Sequence, residues 1–179
     1  MKLLVTGLCA LAAVVPLAGV ATAAPTAPDV PGGIAVGEGY KPFLIGHAVG
    51  VQIYGCNGVS WTPIAPRADL YADNGQLIAT HFAGPSWQAK DGSKVIARRA
   101  ADPVTVDPTA IPWLLLEPTS ATAGPDGDRL AGTKYIQRVA TTGGVAPAAS
   151  TCNAETAGDV AEIPYTADYV FWKATGAAA

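Results

Sequence analysis

The stretch His81-Phe82-Ala83-Gly84-Pro85-Ser86-Trp87-Gln88-Ala89-Lys90-Asp91-Gly92-Ser93-Lys94-Val95 decides how the rest of the chain is read. It is preceded by Asn74-Gly75 and ends around Asp91-Gly92, dipeptides that mark hairpins because both residues tolerate positive φ. A two-residue turn at Asn74-Gly75 pairs Asp73 with Gln76, Tyr71 with Ile78, Leu70 with Ala79 and Asp69 with Thr80, so that His81 falls opposite Ala68. The same arithmetic at Asp91-Gly92 pairs Ala89 with Lys94, Gln88 with Val95 and Trp87 with Ile96. Between the turns, Pro85 cannot donate to a ladder and Gly84 admits unusual backbone, which predicts one strand bent or bulged at Gly84-Pro85. The stretch reads as the middle of a β-meander.

Working outward, Ala48 to Cys56 alternates, with Val49, Val51 and Ile53 on one face and Gln52, Tyr54 and Cys56 on the other. This predicts a half-buried strand, with His47 just before it. Trp61 to Pro66 is extended but interrupted by Pro63 and Pro66, which suits an edge strand or a bulge. Ile111 to Glu117 is a short apolar run that fits a strand buried on both faces, and Lys134 to Ala140 alternates, with Ile136 and Arg138 sharing a face. Asp168 to Lys173 is dense in aromatic and β-branched residues, as strands are. Loops rich in Pro and Gly are expected over Arg98–Pro108, Pro118–Gly132 and Thr141–Ser150. No stretch sustains a 3.6-residue apolar period. The sum is seven to nine short strands, hence an all-β antiparallel sandwich or partly open barrel with long Pro/Gly loops.

The ends of the chain speak to compartment. Met1-Lys2, the apolar run Leu3–Val20 and the small residues Ala21-Thr22-Ala23 match a signal peptide cleaved after Ala23. Residues 24–33 form a Pro/Ala/Gly lead-in, 34–174 a single β domain, and 175–179 a frayed tail. Cleavage removes Cys9 and leaves Cys56 and Cys152 alone in a chain sent to an oxidising compartment, which predicts that they form a disulfide. It also removes Lys2, so ten Lys and Arg stand against fourteen Asp and Glu, a net of −4. A mildly acidic, interspersed surface argues against nucleic acid or anionic lipid as a partner. The mature chain is expected to be a secreted monomer, without stable membrane insertion.

Catalytic signatures are absent: there is no nucleophile elbow, phosphate loop or H-E-x-x-H, and Gly37-Glu38-Gly39 lacks the rest of a dinucleotide fingerprint. No metal or cofactor is expected. Asp126-Gly127-Asp128 lacks the spaced ligands of a calcium loop and reads as a solvated turn. The candidate catalytic residues are His47 and His81, the side chains that titrate near neutrality, with Asp69 or Asp91 as a carboxylate partner. The candidate ligand-binding residues are Tyr54, His81, Trp87, Gln88 and Asp91, grouped around the bent strand, where aromatic rings suit a small molecule or glycan. The leading expectation is a binding or cell-envelope protein. The alternative is a small hydrolase-like or metal-assisted enzyme.

Several segments in order, Gly50–Tyr54 with Cys56, His81–Trp87 with Asp91–Ser93, Ile111–Leu116, Ile136–Val139, Gly143–Pro147 with Cys152, and Pro164–Tyr169, resemble the secreted bacterial and fungal proteins grouped as domain of unknown function 3455. The resemblance spans roughly residues 34–174. It implies no established activity, and the chain departs from the family pattern at Gln88, where relatives have Glu.

Overall fold

The computed structural model describes residues 24–176, so the leader expected over 1–23 and the last three residues of the tail lie outside the described residues. Eight strands, β1 (Tyr40–Cys56), β2 (Trp61–Tyr71), β3 (Leu77–Phe82), β4 (Ser86–Ala89), β5 (Lys94–Arg99), β6 (Leu114–Thr122), β7 (Tyr135–Gly143) and β8 (Val160–Ala174), close into an antiparallel barrel in simple sequence order. It is neither a sandwich nor an open barrel. Closure is made by β1, which pairs with β2 over His47–Cys56 and with β8 over Tyr40–Gly55. The reason is length. A 17-residue β1 and a 15-residue β8 are long enough to tilt around the axis and meet, which a cycle of short strands would not do.

Strand β1 begins eight residues earlier than its clean alternation suggests, so His47 lies inside it. The alternation itself holds: Ala48 and Tyr54 are buried, Val49 is exposed. Where β1 crosses β2, a Cβ on Gly50 would stand 2.1 Å from the Arg67 carbonyl oxygen, so only glycine lets the backbones approach this closely. The prolines of β2 sit at a register shift between Ile53 and Tyr54. They mark a bulge, as expected, but not an edge, because the closed barrel has none.

The strand expected to bend at Gly84-Pro85 is two strands, β3 and β4. Phe82 pairs with Ser86, and Ala83-Gly84-Pro85 is a tight loop with Gly84 at φ 130°. The flanking turns are three-residue loops rather than two-residue ones. Ala72 N–H donates to the Gln76 carbonyl and Gly75 N–H to the Ala72 carbonyl, and a shift between Leu70 and Tyr71 pairs Tyr71 with Leu77, not Ile78, while the body of the ladder keeps Asp69 opposite Thr80 and His81 opposite Ala68. At the second turn Ala89 N–H donates to Ser93 O, Gly92 takes φ 80°, and the register becomes Trp87 with Val95 and Gln88 with Lys94. A type I turn closed by a left-handed glycine gives this geometry. The extra loop residue places Val95, not Ile96, beside Trp87 inside the barrel.

Strand β6 also runs past Glu117-Pro118 to Thr122, where a loop was expected. Inside the barrel, Ala48, Leu70, Ala79, Trp87, Val95, Leu116, Ile136, Tyr169 and Phe171 form one core. A second cluster lies outside, where Val30 and Val36 of the N-terminal segment pack with Trp113 and Tyr135 against Val139, Val170 and Trp172. There Gln137 is fully buried, its amide donating to Ile34 O at 2.7 Å and accepting from Trp172 Nε1 at 2.8 Å. Ion pairs such as Arg67–Glu162 and Arg98–Glu117 are exposed. Cys56 at the end of β1 is bonded to Cys152 in the β7–β8 loop, 96 residues away.

Candidate functional site

In an up-and-down barrel alternate loops gather at the same end, and here the β1–β2, β3–β4, β5–β6 and β7–β8 loops share one mouth. Just inside it lies a cavity of about 250 Å³ to which every strand contributes. Gln52 comes from β1, Pro66 from β2, His81 from β3 and Trp87 from β4. Arg99 comes from β5, Leu114 and Leu116 from β6, Arg138 from β7 and Tyr169 from β8. Small eight-stranded barrels have room for side chains or one small ligand, and here the core fills one end and leaves the other open.

His81 is 3% exposed. Its Nδ1 lies 2.8 Å from the Ser86 carbonyl oxygen, which only accepts, so Nδ1 carries the proton and Nε2 keeps its lone pair. Burial lowers its pKa to about 3, against the opposing pull of the Ser86 carbonyl, with the Arg138 cation adding to the depression. The ring is therefore neutral across the physiological range. Trp87 stacks on it, and Tyr169 packs against both rings. Burial likewise raises the hydroxyl pKa of Tyr169 and of Tyr165, whose oxygens lie 3.3 Å apart.

Two residues that line the cavity, Trp87 and Gln52, each carry a buried donor, Nε1 and Nε2, with no hydrogen-bond partner. Arg138 is half-buried, and its Nε and Nη2 both donate to the Pro112 carbonyl, at 3.1 and 2.7 Å. No carboxylate among the described residues forms an ion pair with Arg138 or Arg99.

The sequence candidates scatter. His81 and Trp87 line the cavity. Tyr54 is buried with its hydroxyl donating to Gly144 O at 2.7 Å, apart from the cavity wall. Gln88 points outward, opposite Thr80 and Lys94. Asp91 lies in the β4–β5 loop at the opposite end, accepting from Ser93 and from Arg129 N–H. His47 faces outward too, because its neighbour Ala48 faces the core. It sits between Asp168 and Asp73, each 2.7 Å from one ring nitrogen, so neither Asp69 nor Asp91 is its partner. The barrel wall separates His47 from His81, and the two do not share a site. Among the described residues no three His, Cys, Asp or Glu side chains cluster to hold a metal.

Sequence reasoning missed Gln52, Arg99 and Arg138. The signal for Arg138 was present. It shares a strand face with Ile136, and a cation at a core-facing position points to a buried polar site.

The family described as Protein of unknown function (DUF3455) matches residues 37–173. The chain belongs to this family. Neither a curated protein nor a solved structure matches it. The matched span contains all eight strands except the last residue of β8, so the mouth cavity lies wholly within the DUF3455 region.

Proposed function

We propose that this DUF3455 protein is an exported, small-molecule-binding barrel whose ligand sits in the mouth cavity. One observation carries the reading: Trp87, with no exposed surface, lines a 250 Å³ cavity and leaves its indole N–H without an acceptor. A buried donor left unsatisfied costs about 1–3 kcal/mol, and a ligand acceptor recovers that cost. Pockets of this kind, apolar with a few convergent polar groups, are the usual form of a ligand site.

Acid–base catalysis is disfavoured, because a histidine held at a pKa of about 3 is a weak base at neutral pH. Small molecules are favoured over glycans because Trp87 and Tyr169 are enclosed rather than displayed as a platform. Export rests on the apolar leader with its Ala21-Thr22-Ala23 site, supported by the Cys56–Cys152 bond. Charged residues outside and apolar ones inside suit a barrel surrounded by water, the reverse of a membrane barrel.

The test is a fragment screen read through the four tryptophan indole N–H resonances, with Trp87 assigned by Trp87→Phe. Binding in the mouth shifts the Trp87 resonance and leaves those of Trp61 and Trp172 in place. Fragments that shift all four alike, or none, would overturn the reading.

A further inference from the structure

Resting on that reading, we propose that the ligand is a small monocyclic carboxylate, its acid group held by Arg99 and Arg138 and its ring packed among Trp87, Leu114 and Leu116. Charge carries the first half. The cavity wall has two guanidinium groups and no acidic residue, in a chain whose net charge is −3. Of the three arginines outside the cavity, Arg67 pairs with Glu162 and Arg98 with Glu117, while Arg129 forms no ion pair among the described residues. Arg98 and Arg99 are adjacent, so alternation sends one outward to its carboxylate and the other toward the mouth. A guanidinium has five N–H donors. The Pro112 carbonyl takes two from Arg138, which fixes the group in place and leaves donors free to grip an anion. An arginine lodged in a partly buried site without a counter-charge is costly, and a carboxylate supplies that charge with matching fork geometry.

Size and surface carry the second half. A cavity of about 150 Å³ accommodates benzene, and drug-sized ligands occupy pockets from about 300 Å³ upward. The observed 250 Å³ fits one ring and an acid group. Pro66, Pro85, Leu114 and Leu116 make the rest of the wall apolar, so an anion without a body would leave that surface wet.

The experiment titrates the mature, disulfide-bonded chain by calorimetry with benzoate, its neutral isostere benzamide, and inorganic phosphate. Benzoate binds about tenfold or more tightly than benzamide, and inorganic phosphate binds more weakly than benzoate. Arg99→Gln, which changes an exposed guanidinium, weakens benzoate by about tenfold and leaves benzamide within about twofold. Arg138→Gln does the same or more, and Arg99→Gln decides the matter if the Arg138 variant is poorly folded. Equal binding of benzoate and benzamide overturns the acid and leaves the cavity reading standing. Phosphate binding as tight as benzoate overturns the ring. If none of the probes binds and the Trp87 resonance answers to no fragment, the cavity reading falls as well.

Discussion

His81 lies flat against Trp87, with ring centroids 4.3 Å apart and planes 8° from parallel. Tyr169 approaches the same imidazole at 4.9 Å. This stack joins the packed end of the barrel to the cavity, and its burial keeps the imidazole uncharged. The histidine that sequence reasoning nominates as a catalyst is a neutral ring on the cavity wall, and its chemistry shows most clearly in stability.

In the unfolded chain His81 titrates near 6.5, whereas in the barrel burial holds it near 3. Between those values the unfolded state takes up a proton that the native state refuses, so stability falls as pH drops, by up to about 1.4 kcal/mol per pH unit. Urea midpoints measured from pH 7 to 4.5 should decline, and His81→Gln should flatten the decline even though it lowers stability throughout. An unchanged slope in the variant would show that the imidazole is not buried and neutral.

His47 carries the opposite sign. Hydrogen bonds to Asp73 first and Asp168 second raise its pKa in the native state. Its stabilisation is complete below about 6.5 and is lost as pH rises through the raised native value. With the His47 side chain 42% exposed and Asp73 96% exposed, solvent and salt screen the cluster, so the effect stays below about 1 kcal/mol. The stability difference between wild type and His47→Gln should shrink from pH 6 to pH 9, and at pH 6 should shrink in high salt. A difference that grows with pH would be inconsistent with the imidazolium cluster.

The Cys56–Cys152 bond closes a loop of 96 residues, which contains everything from the β1–β2 turn to the β7–β8 loop. The chain-entropy account assigns such a loop roughly 4–5 kcal/mol. Replacing both cysteines with alanine should lower the urea-derived stability by several kcal/mol, with the barrel still formed at low temperature by far-ultraviolet circular dichroism. Because the bond ties the mouth loop to β1 rather than the floor, ligand binding by the variant should weaken before its core signals change. A loss under about 1 kcal/mol would mean that the loop is held by packing alone.

Strand identity was legible where one periodicity dominated. The alternation of 48–56 and the aromatic run of 168–173 both lie in strands whose inner face is core. Closure was not legible, because nothing in β1 announces that it pairs on both edges. Turn lengths misled for a local reason: Asn-Gly and Asp-Gly serve both two- and three-residue loops, and only the partner strand decides which. The site was half visible. His81 and Trp87 are rare residues and drew attention, whereas Gln52, Arg99 and Arg138 become neighbours only when strands distant in sequence curl around a common axis. Asp91 was conspicuous for its turn, and the turn is where its hydrogen bonds lie.

The Asp91 carboxylate stitches two loops together at the end of the barrel opposite the mouth. One oxygen accepts from Ser93 N–H and its hydroxyl, the other from Arg129 N–H at 2.8 Å. The Ser93 hydroxyl in turn accepts from Leu130 N–H at 3.0 Å, and Leu130 is fully buried in the core. Asp91 thus holds, directly and through Ser93, the loop that caps the floor of the barrel. Burial pushes its carboxyl up, yet these hydrogen bonds outweigh it and hold the pKa below the ordinary value. Asp91→Ala leaves three donors short of an acceptor and should cost about 1–3 kcal/mol. Amide exchange should quicken at Arg129 and Leu130 while the Trp87 resonance and benzoate affinity stay as they are. If the variant keeps its stability and loses ligand, Asp91 belongs to the binding site and the mouth is not where the ligand sits.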